Sequence, residues 1–254
     1  MKVSAAGRIL MWRGGSLWIG LAGEPAGFHA HHAVQITLPF PGGVVRFQRP
    51  SGSWTSYTAA LVAAHQPHAF DARAQHVAQI FVEPESLEGR QLHLRYDTEE
   101  IVALPTHALK KQISALASAY ENRAGDAALI ALARATISTI AGSITVPKKL
   151  TDARIATAIE LIREQIGAAI PLKGIAAAVH LSPDRFRHLF MEETGVRYRE
   201  YLLWLRLENS LHAYIAGNTL TESAYAGGFV DSAHLSRTFK RMFGIAPASV
   251  RPER

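Results

Sequence analysis

One pattern occurs twice in this chain, and it restricts the fold more than any other feature. The first copy runs Leu172, Ile175-Ala176, Leu181-Ser182-Pro183, Phe186, Leu189-Phe190 and closes at Gly195. The second runs Leu220, Ser223-Ala224, Gly228-Phe229, Asp231-Ser232, Leu235, Phe239, Phe243 and closes at Gly244. Each copy reads as a short helix with Ala at a close-packed position, a tight turn, and a second helix with an apolar stripe at helical spacing. That is a helix-turn-helix unit, in which small residues let two helices approach and the second helix turns its polar side outward. Ser182 caps one outward helix, with Pro183 at its first position, and Asp231-Ser232 caps the other. An amphipathic helix over 199–215 joins the copies. It would be roughly 25 Å long at about 1.5 Å per residue. With helix packing at each end, the outward helices come near the ~34 Å between successive major grooves on one face of B-DNA.

The first hundred residues have a different texture. Short apolar runs at 17–19, 33–38, 44–47, 57–63 and 77–82 are punctuated by Pro39, Pro41-Gly42-Gly43, Pro50-Ser51-Gly52 and Pro67. Short strands at regular spacing with turn signals predict a sandwich or barrel. The texture changes at Pro105. Residues 106–120 and 126–141 read as an Ala- and Leu-rich helical pair, with Thr106 and Asp126 available as caps. A linker is expected from Gly142 to Lys149, and from Leu150 onward everything reads as helix. The expected class is α+β, in three parts: a β domain over 1–104, a helical connector over 105–147 and an all-α domain over 148–254.

Composition narrows the function. The chain has 254 residues, 48% of them hydrophobic, which is enough for packed cores and excludes extensive disorder. It has no cysteine, so a disulfide scaffold, a thiolate zinc site and a Cys nucleophile are excluded, and a reducing compartment fits. The net charge of +6 suits a polyanionic partner. Residues 148–254 carry only +4 of it, too little for an architectural protein that relies on neutralising phosphates. Lys2, Arg8 and Arg13 interrupt any secretory signal, and no stretch is apolar enough to span a membrane. The expectation is a soluble, cytoplasmic chain with no membrane partner. No serine or carboxylate constellation suggests hydrolysis.

The C-terminal pattern resembles the DNA-binding domain of the AraC/XylS family of bacterial transcription regulators, from about Lys149 to Arg251. The most specific stretch runs from Ala224 through Gly228-Phe229 and Asp231 to Leu235-Ser236-Arg237, Phe239-Lys240-Arg241, Phe243-Gly244 and Pro247. Leu181-Ser182-Pro183, Glu193-Thr194-Gly195, Tyr201-Leu202 and Arg206-Leu207 match in the first copy. The resemblance implies base reading by Asp184, Arg187 and His188 in one helix and by Ser232, Ala233, Ser236 and Arg237 in the other. Arginine can bond guanine bidentately, and serine can bond a base or a phosphate. Arg185, Lys240 and Arg241 are assigned to phosphates, which position without specifying. The sequence departs from the family at His188, where arginine is usual, at Ser223, which replaces an aliphatic, and at Val250, which replaces an aromatic. Arg185, Arg197, Arg199 and Arg206 also fit an ordinary solvated face. Duplex DNA is the implied partner, with RNA polymerase, a small-molecule or metal effector, and a second copy of the chain as further ones.

Histidine concentrates in the other half, with eight of the twelve before residue 148. His29, His31 and Gln35 share strand parity, since side chains alternate with period two, and His68 follows Pro67. The spacing Gly23, His29, His31, Gln35, Gly42 is similar to the first cupin motif, with Gln in place of Glu, and His68 is what survives of the second. Many AraC-type regulators carry such a cupin-like sensor barrel ahead of the DNA-binding part. Neutral imidazoles bind divalent transition metals, and Gln can supply an oxygen. The same residues also suit an organic effector pocket, or a solvated surface. If they face a cavity, Val34, Ile36 and Leu38 face outward and need a cover, either a dimer partner or the 106–141 helices. His65 and His76 read as structural. Arg46 and Arg49 suit an anionic ligand or, more simply, a surface hairpin. A rival reading is a cupin-type metalloenzyme, with His29, His31 and His68 holding iron; the missing cupin Glu and the C-terminal domain both count against it.

Overall fold

The computed structural model describes residues 5–96, 100–142, 152–167 and 171–252. The linker expected over 142–149 therefore lies almost wholly outside the described residues. The chain divides into two compact units, Met1–Val146 together with Phe239–Arg254, and Pro147–Thr238.

In the first unit, strands β1 (Ala5–Trp12), β2 (Gly15–Leu21), β3 (Ala26–His29), β4 (Val34–Pro39), β5 (Val45–Gln48), β6 (Thr55–Tyr57), β7 (Ala60–Val62), β8 (His68–Asp71) and β9 (His76–Val82) precede helix α1 (Leu87–Tyr96). Strand β10 (Ile101–Ala103) and helices α2 (Thr106–Glu121) and α3 (Asp126–Ala141) follow. The strands form a seven-stranded sheet, ordered β10-β7-β4-β9-β2-β1-β11, and a four-stranded sheet, ordered β3-β8-β5-β6. β11 (Val250–Pro252) comes from the end of the chain and lies parallel to β1.

Alternation along the strands builds two cores. Val34, Ile36 and Leu38 share a face with Leu17, Ile19 and Ile80, and pack on Leu109, Ile113 and Leu116 of α2 and Leu129 and Ile137 of α3. The helical pair thus supplies the cover that those aliphatics require. Because α2 and α3 spend their apolar faces on this sheet, those faces are not the ones a second copy would bury. On the opposite parity, Val45, Phe47 and Phe70 of the small sheet meet Ala60, Val62 and Val77 of the large one. Two such layers on one sheet give a helix–sheet–sheet arrangement.

Several elements differ from expectation. Neither Thr106 nor Asp126 caps its helix: the Thr106 hydroxyl pairs with that of Thr58 at 2.7 Å, and Asp126 takes an ion pair from Arg8. Helix α1 interrupts the β texture before residue 104. The end of the chain is not all helix, since a 3-10 turn at Pro247–Ser249 leads into β11. Arg46 lies on the β5–β6 hairpin and Arg49 just beyond β5, both about half exposed as the simpler reading expects, and each has found a partner: Arg46 pairs with the buried Asp71, and Arg49 lies 3.2 Å from Glu100.

The second unit holds α4 (Ala153–Glu164), α5 (Leu172–Ala178), α6 (Pro183–Thr194), α7 (Tyr198–Ile215), α8 (Leu220–Ala226) and the start of α9 (Ser232–Phe243). The two sequence copies close their turns alike. Leu181 N donates to Ala176 O at 2.9 Å, and Phe229 N to Ala224 O at 2.8 Å. The residue before each donor, His180 and Gly228, has a positive φ of 56° and 73°. Ser182 Oγ accepts from Arg185 N at 3.3 Å, and Asp231 Oδ1 from His234 N at 2.6 Å, so both expected caps are made.

Candidate functional site

The three histidines singled out in the sequence meet inside the first unit. His29 on β3 and His68 on β8 are direct cross-strand partners, with ring centroids 4.2 Å apart. His31 reaches them from the connection after β3, where no strand runs, so period two led to the right residue by a different route. One ring nitrogen of each lies within 4.8 Å of the others, and all three side chains are buried.

Their outer hydrogen bonds are alike. The Nδ1–H of His29 donates to Gly27 O at 2.7 Å, that of His31 to Ala33 O at 2.8 Å, and that of His68 to Gln66 O at 2.8 Å. Each bond fixes the tautomer and leaves the Nε2 lone pair available, which is the usual support for a metal-binding imidazole. Burial keeps the rings neutral. It pushes His29 and His31 down to about 4 and His68 to about 2, with the neighbouring imidazoles adding to the shifts. His68 Nε2 is buried with no hydrogen-bond partner, a costly state for a polar atom. Gln35 Oε1 lies 2.9 Å from His31 Nε2, and Gln35 Nε2 lies 2.9 Å from the Thr37 hydroxyl. A half-turn of this amide would give His31 a donor.

A second histidine pair escaped the sequence reading. His32 Nε2 lies 2.8 Å from Glu85 Oε2, and His32 Nδ1 lies 3.2 Å from His65 Nε2. His32 is buried, not exposed, and His65 belongs to this chain of contacts. His76 instead stacks on Phe40.

The histidines adjoin a cavity. His29 and Gln35 line it, together with apolar side chains such as Ile9, Leu21, Phe70 and Phe81 and, from the end of the chain, Phe243 and Ile245. Phe243 is fixed by Trp18, Phe81 and His31, at ring-centroid distances of 4.9, 5.7 and 6.2 Å. Gly244 follows with a φ of 72° and accepts a 3.2 Å bond from Gly27 N. A Cβ on Gly244 would lie 2.5 Å from Gly27 O and 2.7 Å from His29 Nδ1, so glycine is required there by both backbone and space.

In the second unit, α6 buries Phe186, Leu189 and Phe190 and exposes Asp184, Arg185, Arg187 and His188. Asp184 and Arg187 form an ion pair one turn apart. On α9, Ala233 and Arg237 are exposed, and Ser232 and Ser236 are half-buried. The Ser236 hydroxyl donates to Ser232 O at 2.7 Å, so toward a ligand it offers an acceptor. Lys240 and Arg241 are exposed and fall within the stretch that belongs to the first unit. Of the four arginines assigned to a solvated face, Arg185, Arg197 and Arg199 are exposed, whereas Arg206 is half-buried.

Residues 175–253 match the family model described as a helix-turn-helix domain. The chain is 31% identical over 105 residues to the HTH-type transcriptional activator RhaS of Escherichia fergusonii, covering 41% of this chain and 38% of that protein. It is 30% identical over 97 residues to the Msm operon regulatory protein of Streptococcus mutans, covering 37% and 34%. The match thus spans a little over a third of these relatives' length. In fold, the chain is similar to ToxT of Vibrio cholerae, with a TM-score of 0.57, 14% identity, and coverage of 92% of this chain and 95% of that one. A ToxT structure with an unsaturated fatty acid bound gives a TM-score of 0.55 at 14% identity, covering 97% of this chain and 92% of that one. Among the described residues, no helix is long and apolar enough to cross a membrane.

Proposed function

We propose, on the premise that residues 175–253 are a helix-turn-helix domain of the AraC type, that this chain is a sequence-specific transcription regulator governed by an effector in its first unit. The observation that carries the reading is the pair of exposed polar helix faces in the matched domain, with Arg187 on one and Arg237 on the other. In this reading α5–α6 and α8–α9 are two helix-turn-helix units, and α6 and α9 enter successive major grooves. Asp184, Arg187, His188, Ser232, Ala233, Ser236 and Arg237 then face bases, while Arg185, Lys240 and Arg241 hold phosphates. RNA polymerase is the further partner that such a regulator addresses. The relatives matched by sequence are named as regulators, which counts against the metalloenzyme reading even though the histidine cluster suits a metal.

The first unit is read as a cupin-like sensor. His29, His31 and His68 fit a divalent transition metal, because the three neutral imidazoles are each oriented by a backbone carbonyl, converge within 4.8 Å, and leave the Nε2 of His68 without a partner. A bound ion would supply a Lewis-acidic centre that cross-links β3, β8 and the loop carrying His31. Gln35 stands ready as a neutral oxygen donor.

The test is selection of duplex DNA from a random pool by the full-length protein. A defined motif is expected, with two contacts about one helical turn apart in each chain's footprint. Arg237→Ala should cost about 1–3 kcal/mol and relax one base pair, while Lys240→Ala weakens all sequences alike. Equal loss on matched and mismatched duplexes for Arg237→Ala would remove its base-reading role. Elemental analysis of untagged protein tests the metal, and joint replacement of His29 and His31 by Ala should abolish its retention.

A further inference from the structure

The cavity beside the histidines carries a more specific conclusion, which rests on the reading of the first unit as an effector-binding module. We infer that it takes an apolar molecule with an uncharged, hydrogen-bond-donating head, of the alcohol or phenol class, and that it discriminates against carboxylates. The walls are mostly hydrocarbon, from Ile19, Leu21, Val77, Phe81, Phe243 and Val250. A ligand there gains by removing apolar surface from water. Its head must satisfy the few polar groups that remain.

Besides Arg8 and Glu24 these are His29, Gln35, Gln79 and Ser249, and among them His29 is fixed as an acceptor. The Nδ1–H of His29 is committed to Gly27 O, so the imidazole presents a lone pair to an occupant. His68, behind His29 and outside the lining, has a buried Nε2 without a hydrogen-bond partner, so the cluster itself offers this side no donor. A hydroxyl can donate to the His29 acceptor. A carboxylate has no proton to give and meets lone pairs instead.

Charge points the same way. The lining contains two charged residues, Arg8 and Glu24. The Arg8 guanidinium donates to Ala124 O at 2.5 Å and pairs with Asp126. Its charge is therefore already matched, and Glu24, the other charged residue, is itself an anion with Arg73 as its neighbour. An anionic head buried here would be desolvated without an unspent cation to face, and a charge in that position is costly.

The wall also includes the end of a helix. Phe243 is the last residue of α9, so an occupant of the cavity touches the helix that carries Ser232 and Arg237. The ligand site and the proposed reading residues share one continuous element.

The experiment is calorimetric titration of the full-length protein, dialysed against a chelator, with 1-octanol and with octanoate, which have equal chain lengths. Octanol should bind one to one, and octanoate at least roughly tenfold more weakly, a difference of about 1.4 kcal/mol. Ala72→Phe, which fills the cavity, should abolish octanol binding. Ile245→Phe fills it from the other wall and serves if the first variant fails to fold, with circular dichroism as the check on each. Octanoate binding as tightly as octanol, octanol binding unchanged in a folded filled variant, or no binding of either probe would overturn the assignment. Because no DNA is present, these results stand apart from the duplex selection. A selected operator with no octanol binding sinks the ligand class alone, and octanol binding without sequence selection sinks the regulator reading alone.

Discussion

The hydroxyl of Ser210 on α7 occupies the space that a side chain on Gly227 would need: a Cβ there would fall 1.9 Å from Ser210 Oγ and 2.4 Å from Arg206 O. The neighbouring Gly228 is different, since its φ of 73° already calls for glycine. Gly227 is fixed by proximity alone, its φ being an ordinary −82°. Gly227→Ala should therefore separate α7 from α8 and destabilise the second unit by about 1–3 kcal/mol. A urea titration that left the midpoint unchanged would show that the helices do not meet so closely.

Ser223 faces the opposite problem. It is fully buried on α8, where the family resemblance leads one to expect an aliphatic residue, and its hydroxyl has no hydrogen-bond partner. Ser223→Ala should raise stability by about 1 kcal/mol, because a buried unsatisfied hydroxyl is removed with little change in volume. Thermal melts of the two proteins compare this directly, and a lower Tm for the alanine variant would contradict it.

Acid should weaken the metal-free protein at mild pH. Burial holds His29 and His31 at about 4 and His68 at about 2 in the folded state, against 6.5 for an ordinary histidine. Below about pH 6.5 the unfolded chain takes up protons that the folded chain does not, so unfolding gains as pH falls. The stability is intact above that value and is lost as pH falls toward the folded-state values, by up to about 1.4 kcal/mol per pH unit for each ring. Melts between pH 7.5 and 5 should show the decline. His68→Phe, which removes one titrating ring, should flatten it.

Asp184 sits at the start of α6, almost wholly exposed and paired with Arg187. If this face meets DNA, the carboxylate both repels phosphate and tethers an arginine. Asp184→Ala should then tighten binding to all duplexes and steepen the salt dependence by roughly one ion per chain, at the expense of discrimination. Fluorescence anisotropy at several salt concentrations measures both. Weaker binding to every duplex would mean that the aspartate organises the helix instead of opposing the backbone.

Local chemistry made part of this molecule legible in its sequence. Ser182 and Asp231 announce their helices because a cap is a contact over two or three residues. Parity groups His29, His31 and Gln35, although His31 lies off the strand, and only the cupin resemblance joins His68 to them. What escaped depends on distant partners. His32 and Glu85 are 53 positions apart and His32 and His65 are 33 apart, with nothing local to pair them. Helix α1 buries only Gly89 and Leu92, too sparse a stripe to register as a helix. Strand β1 contains Gly7 and Arg8, which break an apolar run, yet it is held over its length by β2. Arg46 gave no sign that Asp71, 25 residues on, would take its charge.

Strand β11 has a bearing on how this protein tolerates loss of its end. It is the outermost member of the large sheet, and it covers the side of β1 that β2 leaves open. A chain cut just before Val250 would keep α1 to α9 and the turns at His180 and Gly228. It would nonetheless uncover the backbone of β1 at a sheet margin, and bare strand margins recruit other chains. Such a product would fail as insoluble material while the helices of the second unit stayed intact.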